Sequence, residues 1–131
     1  MRRRKVNIFK IGKLYCFKQY FNDKEIFKEL SEYYNKGNYR FECGTAGELN
    51  KIIKYMGEAG FDVTIIENLS DYLVKIDRFK KYAAILKNSI EQTELGSNRI
   101  FLMKDRLSVE QAIEQGAEKY TDEIDSERLI L

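Results

Sequence analysis

Arg99-Ile100-Phe101-Leu102-Met103 reads as a strand with no polar face. Such a strand is normally covered on both sides, so the chain calls for a layered arrangement of sheet and helices. Other segments supply the rest of the sheet. Tyr39-Arg40-Phe41-Glu42-Cys43 alternates cleanly between apolar and charged residues. Asp62–Ile66 and Tyr72–Ile76 are β-branched and aromatic, and flank a polar loop of hairpin length at Glu67–Asp71. At the front, Val6–Ile11 and Leu14–Phe21 flank Gly12-Lys13, a short glycine turn that suggests another hairpin.

Proline is absent, so helix ends must be read from caps and glycines. Asn22-Asp23-Lys24-Glu25 has the form of a capping box, with Asn22 as cap, and predicts a helix over about 23–36 that stops at Gly37. Thr45-Ala46-Gly47-Glu48 repeats the box in its commoner form. Leu49, Ile52, Ile53 and Met56 then make a one-sided stripe that predicts a helix over about 46–59. Asp77 can cap a third helix with Phe79, Tyr82, Ala83, Leu86 and Ile90 on its buried face, ending by Gly96. Ser108-Val109-Glu110-Gln111 starts a fourth, with Val109, Ala112, Ile113, Gly116, Ala117 and Tyr120 on one face.

In order, residues 39–104 therefore read strand, helix, strand, strand, helix, strand. That succession resembles the ferredoxin-like split βαβ arrangement, two helices on one face of a four-stranded antiparallel sheet. The expected fold is α/β, of the α+β kind, with this core at 39–104. An N-terminal β-hairpin and helix precede it and a C-terminal helix follows. At 131 residues the chain reads as a single domain, with a basic flexible start at 1–5 and an extended tail at 125–131.

Function is first narrowed by exclusion. No histidine occurs, which removes Ser-His-Asp and Cys-His catalysis and imidazole metal sites. Cys16 and Cys43 are too few and too far apart for a disulfide framework or a zinc ribbon, and a reducing, cytoplasmic setting fits best. Both sit in apolar alternation, as small buried hydrophobes do. A reactive Cys43 thiol is the alternative, because a helix should begin just after it. No apolar run approaches membrane-spanning length. Carboxylates are plentiful, yet none cluster as a metal site, and nothing favours an enzyme.

Charge supplies the positive argument. Within residues 1–21, Arg2, Arg3, Arg4, Lys5, Lys10, Lys13 and Lys18 meet no acid and are interleaved with Phe9, Tyr15, Phe17, Tyr20 and Phe21. Phosphate attraction and base stacking use that pairing of residue types. Strand alternation puts Tyr15, Phe17 and Phe21 on one face and Leu14, Cys16 and Tyr20 on the other, so one face must enter the core. A second basic cluster, Arg78, Lys80, Lys81 and Lys87, lies on and before the third helix. RNA-recognition domains share the split βαβ order, but the basic-glycine-aromatic run expected of their third strand is missing from Asp71–Asp77.

The expectation is a non-catalytic cytoplasmic protein that binds nucleic acid through the N-terminal cations, helped by Lys80 and Lys81, with no cofactor and no metal. Gly44, Thr45 and Gly47, between a strand and a helix, form a candidate anion site. The competing reading is an oligomeric regulatory or scaffold module of ferredoxin-like type that binds a small ligand or a protein. There the Ile100–Met103 strand or the apolar end Leu129, Ile130 and Leu131 would bury against a second subunit as a homodimer.

Overall fold

A computed structural model of the chain describes residues 3–121. Those residues gather into two compact units that divide between Glu67 and Asn68, each with its own sheet. The expectations for Arg2 and for the tail at 125–131, Leu129, Ile130 and Leu131 included, lie outside the described residues. The α+β class is the one the sequence indicates. The ferredoxin-like detail is not what forms, because the strands of residues 39–104 are shared between two sheets.

The first unit runs β1 (Arg4–Ile11), β2 (Leu14–Phe17), α1 (Lys24–Leu30), β3 (Tyr34–Asn35), β4 (Arg40–Cys43), α2 (Ala46–Glu58) and β5 (Phe61–Ile66). Its sheet order is β3-β4-β2-β1-β5. Gly12, at φ 60°, makes the two-residue turn that sets Ile11 opposite Leu14 and fixes the first hairpin. β5 lies parallel to β1, which a hairpin could not achieve. Helix α2 provides the crossover from β4 that a parallel strand needs. Arg4 and Lys5 already belong to β1, opposite Phe61 and Asp62, so the basic start is strand from Arg4 onward.

One face of this sheet carries Val6, Ile8, Phe17, Phe41 and Phe61 into a core completed by Leu30 of α1 and Leu49, Ile52 and Met56 of α2. Phe41 is its hub. Phe17 stacks on it at 4.9 Å between ring centroids, and Phe21, Phe27 and Tyr34 meet it edge-on at 5.0–5.9 Å. Each such pair contributes about 0.5–1.5 kcal/mol beyond area burial. On the opposite face Phe9, Ile11 and Cys16 are also buried. There the buried Arg40 guanidinium donates from Nε to Glu42 at 2.9 Å, and Asn35 donates to the second Glu42 oxygen at 2.8 Å.

The helices of this unit follow their caps. Thr45 accepts from the Glu48 N–H, and α2 covers the expected span within a residue. The cap of α1 is Asp23, which accepts from the Glu25 N–H, one residue later than the box suggests. α1 is also shorter than expected. Its last turn tightens at Ser31–Tyr33, and Tyr34-Asn35 pair with β4 instead of continuing the helix.

The second unit runs β6 (Leu73–Asp77), α3 (Ala83–Lys87), β7 (Ser89–Leu95), β8 (Asn98–Met103), α4 (Arg106–Glu114) and β9 (Glu118–Lys119), with sheet order β7-β8-β6-β9. β5 and β6 are in different sheets, so Glu67–Asp71 is not a hairpin turn. The long third helix is replaced by one of five residues followed by a strand. Asp77 turns the chain instead of capping a helix. Its side chain accepts from the Phe79 N–H and its carbonyl from the Lys80 N–H. Gly96, at φ 64°, is a hairpin turn joining β7 to β8 and not a helix stop. Val74, Ile76, Phe101 and Met103 pack with Ile85 of α3 and Val109 and Ala112 of α4. α4 is capped by Asp105, which accepts from the Ser108 N–H.

This packing separates two phenylalanines that look alike in the sequence. Phe41→Ala should destabilise the protein by about 3–5 kcal/mol, as removal of a buried ring does. Phe79→Ala, at an 83% exposed residue, should stay within about 0.5 kcal/mol of the parent. Urea denaturation followed by circular dichroism measures both; equal losses would contradict the fold described.

Candidate nucleic-acid interface

The N-terminal cations do not share one environment. Arg3 is held on three sides: Nε donates to Asp62 at 2.6 Å, and a terminal nitrogen donates to the carbonyls of Gly57 and Phe61, each at 2.9 Å. Its charge is compensated within the chain. The Arg4 guanidinium lies 5.8 Å from the Phe61 ring centroid and the Lys10 ammonium 6.0 Å from that of Tyr15. Lys5, Lys10 and Lys13 are exposed, at the start of β1, near its end and in the hairpin turn. Lys18 is half-buried and lies beyond β2.

The rings expected beside these cations are mostly committed to the interior. Phe9, Phe17 and Phe21 are buried and Tyr15 packs on the core, so none presents an open π-face. Tyr20 is the exception, at 78% exposure. Burial of both faces of β1 is the reason: its aromatic and apolar neighbours are needed for packing on either side.

Gly44, Thr45 and Gly47 do stand at the start of α2, exposed. The site already has its anion. The Thr45 hydroxyl accepts from the Glu48 N–H at 3.2 Å and donates to the Glu48 carboxylate at 3.0 Å, so this side chain meets the helix dipole. Cys43 just before it is buried, and burial, with a smaller contribution from Glu48, pushes its thiol up to about 11. A helix start normally lowers a thiol pKa; here desolvation wins, and the neutral thiol is favoured at neutral pH.

The second basic cluster is where charge and an open ring coincide. After β6, Arg78, Phe79, Lys80 and Lys81 are consecutive and all exposed. The loop is held at three points: the two Asp77 bonds described above, and the Arg78 N–H on the Ser97 carbonyl at 3.0 Å. The Arg78 guanidinium sits 4.8 Å from the centroid of the Phe79 ring. The sequence reading assigns Lys80 and Lys81 to this surface but sends Phe79 into a helix core. The missed signal is Asp77 two residues before Phe79, an Asx-turn spacing that competes with helix initiation.

Other sites are weaker. A cavity of about 230 Å³ is lined by Asp71, Arg106, Val109, Glu110, Ile113 and Lys119. It falls below the roughly 300–1,000 Å³ of most small-molecule pockets. Arg106 and Asp71 approach to 3.6 Å across an exposed pair. Among the described residues no group of histidine, cysteine or carboxylate side chains could hold a metal ion, and no helix is long and apolar enough to cross a membrane. Ile100–Met103 is buried within β8, with β6 and β7 hydrogen-bonded on either side, so that strand has no edge to offer a second copy. No family model, no curated protein and no solved structure matches the chain.

The elevated Cys43 pKa makes a prediction about alkaline pH. The neutral thiol is favoured by the fold, so its stabilisation is fully present below about pH 9 and is lost as pH climbs toward 11. Native protein at pH 7.5 should resist iodoacetamide at Cys43, with labelling appearing on unfolding in urea. Rapid labelling of the folded chain, located by peptide mass spectrometry, would contradict this burial.

Proposed function

We propose that this is a non-catalytic, cytoplasmic nucleic-acid-binding protein whose contact surface is the loop Arg78-Phe79-Lys80-Lys81. The observation that carries the reading is an 83% exposed phenylalanine among three exposed cations on a hydrogen-bonded loop. Phosphates are attracted by Arg78, Lys80 and Lys81, while the face of Phe79 turned away from Arg78 can stack on a base. At 83% exposure the Phe79 ring buries little surface in its own unit and is open to contact with a ligand.

The N-terminal cations Arg4, Lys5, Lys10 and Lys13, in the first unit, add phosphate attraction, and of the five rings among them only Tyr20 is exposed. Arg3, compensated by Asp62, adds little. The preferred ligand is single-stranded, because a ring on a loop tip stacks on an unpaired base and meets only a backbone in a duplex. Cys16 and Cys43, both buried and neither in a disulfide, fit a reducing compartment.

Fluorescence anisotropy with a labelled single-stranded oligonucleotide tests the proposal. Lys80→Glu with Lys81→Glu should weaken binding at least tenfold and flatten the plot of log K against log salt by about 1–2 units. Phe79→Ala should weaken single-strand binding by roughly 5- to 150-fold, corresponding to about 1–3 kcal/mol per stacked base, and duplex binding by much less. Unchanged binding in both variants, or binding to anionic vesicles without binding to oligonucleotide, would overturn the reading.

A further inference from the structure

A surface that attracts phosphates is weakened by a carboxylate of its own, because like charge repels the ligand. Asp77 nevertheless leads directly into Arg78-Phe79-Lys80-Lys81 and is exposed with them. Among the described residues its carboxylate forms no ion pair, so its charge does not hold a neighbouring cation in place. What it does form is a bond to backbone: one carboxylate oxygen accepts from the Phe79 N–H at 2.9 Å. The acceptor itself is anchored, since Asp77 is the last residue of β6 and is paired with Asn98 of β8. An Asx-turn of this kind fixes the backbone two residues on, and here that residue carries the exposed ring.

We propose that Asp77 is a positioning residue of the nucleic-acid surface: its side-chain oxygen, and not its charge, sets the backbone of Phe79 and so aims the ring. The inference rests on the nucleic-acid function proposed above, and gives that site a residue that charge alone would count against it. Two other bonds hold the loop, from the Arg78 N–H to the Ser97 carbonyl and from the Lys80 N–H to the Asp77 carbonyl, each at 3.0 Å. Both use backbone acceptors and survive a change of the Asp77 side chain. The Phe79 N–H alone depends on that side chain. Without it the Phe79 backbone is released to water, Arg78 loses its fixed partner at 4.8 Å, and the ring has to be ordered when the ligand binds. Asparagine offers the same acceptor in an Asx-turn, serine a weaker one and alanine none. Asp77→Asn and Asp77→Ala therefore remove the same charge and differ in the acceptor.

Anisotropy titrations of the full chain with a labelled single-stranded oligonucleotide separate acceptor from charge. Asp77→Asn should bind at least as tightly as the parent, since it keeps the bond and sheds a like charge. Asp77→Ala should bind about 2- to 12-fold more weakly than Asp77→Asn, the range that corresponds to the net contribution of one hydrogen bond, with Asp77→Ser between them. That gap should be the same at every salt concentration, because the variants carry equal charge. Amide hydrogen exchange on the ligand-free chain reads the same bond without nucleic acid: the Phe79 N–H should exchange faster in Asp77→Ala than in Asp77→Asn. Equal exchange at Phe79 would overturn the proposal. If the Asn and Ala variants bind alike while Lys80→Glu with Lys81→Glu weakens binding, the positioning role fails and the nucleic-acid function stands. A parent without affinity for the oligonucleotide overturns both. Where Asp77→Ala fails to fold, Asp77→Ser against Asp77→Asn gives the same comparison.

Discussion

Each unit of this protein is organised around one strand whose two faces are both buried. In β1, Val6 and Ile8 enter one layer while Phe9 and Ile11 are buried on the other side. In β8, Ile100 and Leu102 alternate with Phe101 and Met103, all at 1% exposure or less. Such a strand cannot spare an apolar or aromatic face for a ligand. At about 1.5–3 kcal/mol for each large apolar side chain withdrawn from water, giving up a face would cost a large part of a domain's net stability. Exposed charge lies instead at strand ends and turns, where Lys5, Lys13 and the loop at 78–81 are found.

That displacement separates cations from rings in the first unit and keeps them together in the second. Seven cations and five aromatics alternate through residues 1–21, but the pleat sorts them by face and the core takes Phe9, Phe17 and Phe21. What remains outside is charge and the ring of Tyr20, with Arg3 tied to Asp62. In the loop after β6 no pleat operates. The chain turns at Asp77, and Phe79 has no layer to enter, so ring and cations share the same surface. The helix start at Thr45 shows the complementary case: an anion-binding geometry already occupied by Glu48 from within the chain.

How much of this is legible in the sequence depends on whether the deciding interaction is local. Helix α2 is, because Thr45, Glu48 and the stripe at Leu49, Ile52 and Met56 all lie within four turns. The Gly12-Lys13 hairpin is legible for the same reason. The stretch 77–96 is not. A glycine at positive φ serves equally as a helix stop or a hairpin turn, and Gly96 takes the second role because Ser89–Leu95 finds a partner in β8. Phe79, Tyr82 and Leu86 have helical spacing, yet only Ala83–Lys87 is helix and Phe79 is outside it. Strand partnership is hidden likewise. The alternation of Asp62–Ile66 marks a strand but does not say that it lies parallel to β1, a pairing set by where α2 delivers the chain.

Local hydrogen bonding also gives the 78–81 loop a property that composition alone would not. Three backbone N–H groups, those of Arg78, Phe79 and Lys80, are each satisfied within the unit, and Arg78 covers one face of the Phe79 ring at 4.8 Å. An unpinned loop would lose about 1–2 kcal/mol of backbone entropy per residue ordered on binding. This one has met most of that cost in folding, so under the proposed function a larger share of each phosphate or stacking contact would be retained as affinity. The guanidinium on one side of the ring also biases the ligand to the other. On the proposed reading, a cation over one aromatic face leaves the opposite face for a base, and Arg78, Lys80 and Lys81 supply the charge for its phosphates. The proposed mode of contact carries weak sequence preference, because stacking is available to every base through its π-face.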